Sequence, residues 1–154
     1  MRVNLLLNEP PIVGYTNIDA AIPTSTKDKI AGNVFNLDAL VDDGECDEII
    51  ARNIINLCPV KDVGKVVKNW VNKLQHGGTL TVGTVDLKEL SRAVHLGVVD
   101  VPTATQVLFG DQENIWRKSV MDIEILEALM ERYGLKVINK SFDGIIGLVS
   151  GQRP

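Results

Sequence analysis

Few side chains in this sequence sit where they could do chemistry. Asp86 follows a β-branched run, Thr79 to Val85, and so stands at the carboxyl end of a strand, where an open sheet binds its ligands. Asp19 closes another short β-rich run, Tyr15 to Ala20, and an aspartate there also suits the cap of the following turn. Tyr15 opens that run and could stack on a ligand or pack on the core. His95 stands alone on a short helical stretch, as a structural or exposed residue or as the base of a substrate pocket. His76 lies near a predicted helix C-terminus, where positive character is favoured on the surface. Asp111, Trp116 and Arg117 share an irregular segment that could position a substrate or simply hold a loop down. Cys46 and Cys58 are twelve positions apart and match no zinc or redox spacing, so they read as thiols in a reducing compartment.

Composition narrows the classes of function. The 154 residues fit one domain spanning the chain. Hydrophobic residues make up 45% and charged residues 23%, a globular balance rather than that of a disordered chain. The formal net charge of −4 and the lack of a basic run leave no footprint for nucleic-acid backbones. Aromatics at 5% argue against a stacking platform for single strands. No apolar stretch approaches the roughly 18–20 residues that span a bilayer, and Val3 to Leu7 is too short and polar a run for a signal peptide. A cytoplasmic protein without membrane or nucleic-acid partners is expected.

The elements that must position these residues alternate between strand and helix patterns. Strands are predicted over Arg2–Leu7, Tyr15–Ala20, Lys29–Phe35 and Asp47–Ala51. Val63, Val66, Val67, Trp70, Val71 and Leu74 recur at helical spacing and predict a helix over Lys61–Gln75, stopped by Gly77-Gly78. A strand over Thr79–Val85 and a short helix over Asp86–Leu96 follow. Gly97–Gln112 reads as irregular or as a short helix. Leu126, Leu129, Met130 and Tyr133 predict a helix over Asp122–Tyr133, capped by Ser119 or Asp122. Two further β runs, Leu135–Phe142 and Ile145–Gly151, flank the hairpin signal Asp143-Gly144. Strands alternating with helices imply an α/β fold with a mostly parallel sheet, and the final hairpin must add one antiparallel strand.

Taken in order, four segments resemble the Rossmann-like class I S-adenosylmethionine-dependent methyltransferases. Gly14-Tyr15-Thr16-Asn17-Ile18-Asp19 resembles the end of that family's second strand, and Gly32-Asn33-Val34-Phe35-Asn36-Leu37 the segment after its third. Cys46-Asp47-Glu48-Ile49-Ile50-Ala51-Arg52-Asn53 resembles its fourth strand. Trp70 to Leu80, with His76-Gly77-Gly78, resembles the approach to its fifth. Phe109-Gly110-Asp111-Gln112 and Tyr133-Gly134-Leu135-Lys136-Val137 resemble the later insert, the last helix and the sixth strand. The resemblance implies an open sheet of about seven strands, an antiparallel terminal strand and, since Leu7 to Asp19 is short, a reduced first helix.

It also implies a cofactor, S-adenosylmethionine, and a small-molecule or protein methyl acceptor. Asn8, Gly14, Asp19, Asn33, Val34 and Arg52 would then line the cofactor, with Asp19 taking the two ribose hydroxyls and Asn33 facing the adenine amino group. Asp86 and Trp116 would lie near the acceptor. No catalytic residue is singled out, because an activated sulfonium needs alignment more than covalent help. Where the family runs into a glycine-rich loop, this chain has Leu6-Leu7-Asn8-Glu9-Pro10-Pro11, with side chains in place of glycines and two residues lacking an N–H. Two readings therefore stand: a methyltransferase with an aberrant donor loop, or a catalytically inactive relative serving as a binding, regulatory or assembly component. Exposed edges of such a sheet make a homodimer plausible.

Overall fold

The structure, a computed structural model, describes residues 1–111, 113 and 115–154. Gln112, part of the insert quoted above, lies outside the described residues. The chain forms β1 (Arg2–Leu6), β2 (Thr16–Asp19), β3 (Ile30–Ala31), β4 (Cys46–Ala51), α1 (Val60–Lys73), β5 (Leu74–Val85), α2 (Leu87–His95), α3 (Val101–Phe109), α4 (Ile123–Arg132), β6 (Lys136–Asp143) and β7 (Ile146–Gln152). The strands make one seven-stranded sheet in the order β3-β2-β1-β4-β5-β7-β6. The pairs β2–β3, β1–β2, β1–β4 and β4–β5 are parallel, and β7 runs antiparallel to both β5 and β6. This is the Rossmann-like methyltransferase fold, and its reduced first helix is reduced completely: β1 passes to β2 through turns and loop alone.

Local chemistry explains where elements differ from expectation. The third strand is not Lys29–Phe35 but only Ile30–Ala31, because the Asn33 carboxamide oxygen accepts from Phe35 N at 2.9 Å and turns the chain. The glycine pair Gly77-Gly78 does not stop α1, which ends at Lys73. Leu74 is already extended, fully buried, and paired with Cys46. Gly77, at φ +79°, instead lies within β5, near where the pairing with β4 shifts register. Gly78 lets the strands close up there, since a Cβ would stand 2.7 Å from Cys46 O. In 97–112, Pro102 is not a breaker. It occupies the first turn of α3, where no N–H is needed, and Asp100 caps that helix by accepting from Thr103 N at 2.8 Å. Of the two candidate caps for α4, Asp122 does the work, accepting from Ile125 N at 2.8 Å.

The sheet has two unlike faces, and strand alternation decides which is which. Val3, Leu5, Ile18, Ile49, Leu80, Val82 and Val149 point to one face and join the buried stripes of α1 and α4 in the main core. Trp70 anchors that core, fully buried, with its indole N–H donating to Val34 O at 2.8 Å. A fully buried large apolar side chain contributes about 1.5–3 kcal/mol, so this layer supplies most of the stability. The other face mixes apolar residues such as Leu6 and Ile50 with polar cross-strand pairs. Asn4 and Asn17 are cross-strand partners joined at 2.9 Å, and Thr81 meets Ser150 at 2.8 Å. That face gains an apolar cover at Val85 and Ile146, which pack with α2 and α3 in a second small cluster. No helix among the described residues is long and apolar enough to cross a membrane.

Candidate functional site

Beyond the carboxyl ends of β1 and β2 lies a cleft of about 440 Å3 lined by Leu7, Asn8, Ala21, Asp111 and Ile115. Parallel strands aim their carboxyl ends to one side, so the fold itself creates this crevice. Asn8 starts the turn out of β1 with φ +62°, a left-handed conformation that asparagine tolerates better than most residues. It thus keeps a glycine-like backbone while adding a side chain to the cleft wall. Glu9 ties the same loop to its neighbours. One carboxylate oxygen accepts from Leu7 N at 3.1 Å, and the other from the Asn53 side chain, just beyond β4, at 2.6 Å.

Asp19, at the end of β2, is fully buried. Its Oδ1 accepts from Asn8 N at 3.0 Å and from Ala21 N at 2.9 Å, and its Oδ2 pairs with Lys29 Nζ at 2.8 Å. Burial alone would raise its pKa, but the Lys29 ammonium and the two N–H donors outweigh that and hold the carboxyl below its ordinary range. Asp19 is therefore a buried internal group with both oxygens engaged by the chain itself.

The other expected site residues are dispersed. Gly14, at φ +84°, turns the loop into β2 and borders a separate cleft with Pro11 and Lys27. Tyr15 faces neither core nor cofactor cleft: its hydroxyl donates to Glu48 at 2.6 Å and its ring lies 4.2 Å beneath the Arg2 guanidinium. That bond to Glu48, then partial burial, raises the phenol pKa. Asn33 spends its oxygen on the turn after β3, and Val34 is buried in the main core. Arg52 is exposed just beyond β4 and, among the described residues, makes no hydrogen bond or ion pair.

Asp86 is buried and bridges two helices. One oxygen accepts from Glu89 N, capping α2, and the other from Ile123 N at the start of α4, each at 3.0 Å. Trp116 is 53% exposed and pairs through its backbone with Gly110. Asp111 accepts from Glu113 N and Ile115 N, fixing the loop at the cleft rim. Arg117 donates to Val107 O at 3.0 Å and Gln106 O at 3.2 Å near the end of α3, and burial lowers its pKa. His95 is exposed, and His76 Nδ1 lies 2.7 Å from Pro154 O. Cys46 and Cys58 are buried free thiols, and burial pushes Cys46 up to about 11. Among the described residues no cluster of three or more His, Cys, Asp or Glu could hold a metal ion.

Sequence reasoning missed Lys29, the residue that matters most to Asp19. The available signal was a lysine placed just before β3, whose pairing with β2 brings Ile30 beside Ile18. Against the role that the resemblance implies for it, Asp19 is already engaged within the chain. The carboxylate expected to take ribose hydroxyls has no free oxygen, and every buried side-chain polar atom among the described residues already has a partner.

No protein-family model matches the sequence, and no curated protein matches it. Solved structures do match the fold. An S-adenosylmethionine-dependent methyltransferase from Thermotoga maritima aligns over 99% of this chain and 82% of its own, at TM-score 0.63 and 17% identity. A second, from Methanosarcina mazei, aligns over 99% and 92%, at TM-score 0.64 and 14% identity. A methyltransferase from Haloferax volcanii, solved in complex with the Trm112 methyltransferase activator, aligns over 99% and 82%, at TM-score 0.64 and 12% identity.

Proposed function

With the class I methyltransferase fold as the premise, we propose that this chain is a catalytically inactive member of that structural class, serving as a binding or regulatory component. The observation that supports this reading is the buried Asp19 carboxylate, both of whose oxygens are engaged, by Lys29, Asn8 N and Ala21 N. To take ribose hydroxyls, Asp19 would have to give up a buried ion pair, and breaking such a pair is costly. Asp86, expected near a methyl acceptor, is likewise engaged, as the α2 cap and as the acceptor for Ile123 N. Calorimetric titration with S-adenosylmethionine and S-adenosylhomocysteine tests the reading. No heat and no thermal shift at millimolar ligand are expected, and saturable binding abolished by Asp19→Ala overturns it.

One observation favours the second reading, an S-adenosylmethionine-dependent methyltransferase acting on a small molecule or a protein. A cleft of about 440 Å3 persists over the carboxyl ends of the strands, within the usual size range of ligand pockets. On that reading Lys29 swings out and ribose hydroxyls replace its ammonium, so Lys29→Ala would tighten cofactor binding. Under either reading a homodimer would form through β6, the long exposed edge of the sheet, and sedimentation would detect it.

A further inference from the structure

The cleft between α1 and α4 lies apart from the site above and was not anticipated from sequence. It encloses about 460 Å3, within the usual range of ligand pockets. Its wall is apolar, formed by Val63, Met121, Ile125 and Leu129 among others. Gly64 opens it in mid-helix. A Cβ there would stand 2.7 Å from the Tyr133 hydroxyl, which makes no hydrogen bond among the described residues. The rim carries Lys61, Lys65 and Arg132, all exposed. None of the three has an ion pair or side-chain hydrogen bond among the described residues, a state shared by Lys27, Lys68, Lys118 and Lys136, but these three gather at one apolar hollow. Asp62, between the two lysines in sequence, does not line the cleft. At the same end α1 begins at Val60 without a side-chain cap; Asp62 stands in its first turn and the Asp62 N–H donates to Pro59 O, so the helix start adds only the remaining first N–H groups. The apolar wall continues through Met121 and Ile125 into an adjoining cleft of about 510 Å3 beside Leu87.

We propose that this cleft binds an amphiphilic anion: a carboxylate or phosphate head on an extended apolar body. The head sits among Lys61, Lys65 and Arg132, with the Tyr133 hydroxyl as a further donor. The body lies along Leu129 and Ile125 toward Leu87. The assignment is independent of how the cleft over β1 and β2 is read. In a chain of net charge −4, three unneutralised cations around an apolar hollow favour a ligand that supplies the missing charge.

The test titrates the full chain with dodecanoate, dodecyl phosphate, dodecanol and dodecyltrimethylammonium below their aggregation limits. Saturable one-to-one binding of the two anions is expected, at least tenfold tighter than dodecanol, with the ammonium the weakest. The exposed charge reversal Lys61→Glu/Lys65→Glu should weaken anion binding at least tenfold with an unchanged unfolding midpoint. Leu129→Gln, a second variant, should weaken dodecyl phosphate while leaving inorganic phosphate unaffected. Flotation with phosphatidylcholine vesicles with and without phosphatidic acid separates the sources of the head group. Flotation only with phosphatidic acid assigns a lipid head group, and binding of the soluble amphiphiles alone assigns a free ligand. Equal affinity for dodecanol and dodecanoate, indifference to the charge reversal, or no binding in any arm overturns the proposal.

Discussion

Lys29 Nζ lies 2.8 Å from Asp19 Oδ2, and the carboxylate it meets is fully buried at the end of β2. The relationship joins the strand end to the segment that enters β3.

Removing the lysine should therefore be felt in stability. Lys29→Met leaves a buried carboxylate with two N–H donors but no counter-charge. We expect a loss of about 2–3 kcal/mol in urea unfolding at neutral pH. Adding Asp19→Asn in the same chain should recover part of that loss, because the uncompensated charge disappears. A double variant as unstable as the sum of the singles would contradict the coupling.

The same pair sets a pH dependence. Asp19 titrates in the folded chain below its unfolded value of 3.8, so its stabilisation is present above that value and is lost as pH falls through the lower folded value. The stability difference between the native chain and Asp19→Asn should hold steady from neutral pH to about pH 5, then shrink in more acid solution. Urea midpoints across that range measure it, and a difference that grows in acid would reverse the assigned sign.

Asn8 offers a backbone test. Its φ of +62° suits glycine or asparagine and strains alanine. Asn8→Ala should cost about 1–2 kcal/mol, while Asn8→Gly should stay near the native stability. Thermal unfolding of both variants decides it, and equal midpoints would show that the turn relaxes.

Asp86 should behave as the cap of α2 and as a tether to the start of α4. Asp86→Ala strips acceptors from Glu89 N and Ile123 N at once, and we expect a loss of about 2–3 kcal/mol, one cap of α2 plus one buried acceptor for Ile123 N, while Asp122 still caps α4. Asp86→Asn keeps one oxygen and should lose less. Guanidinium unfolding reads the difference.

Much of the architecture was legible in the residues themselves. The stripe from Val63 to Leu74 marks α1, the alternation of Thr79 to Val85 marks β5, and Asp143-Gly144 marks the closing hairpin, because each pattern is local and periodic. The site was less legible. Asp19 was recognisable as a carboxylate at a strand end, yet its partners come from the β1 loop, from two residues downstream and from the entry to β3. That convergence exists only once β1, β2 and β3 pair. Asp86 shows the same limit: its second acceptor bond reaches Ile123, which the sequence places far away and the fold brings beside it. Gly77-Gly78 misled because glycines serve either as helix stops or as strand irregularities, and packing chooses between these roles.

The central claim is that Asp19 is closed to a nucleoside. The backbone amides of Asn8 and Ala21 donate to it and report its state directly. We predict that nitrogen–proton correlation spectra of the isotope-labelled chain show both amides unmoved on addition of S-adenosylhomocysteine to millimolar concentration. Saturable shifts of both amides, lost in Asp19→Ala, would contradict the account.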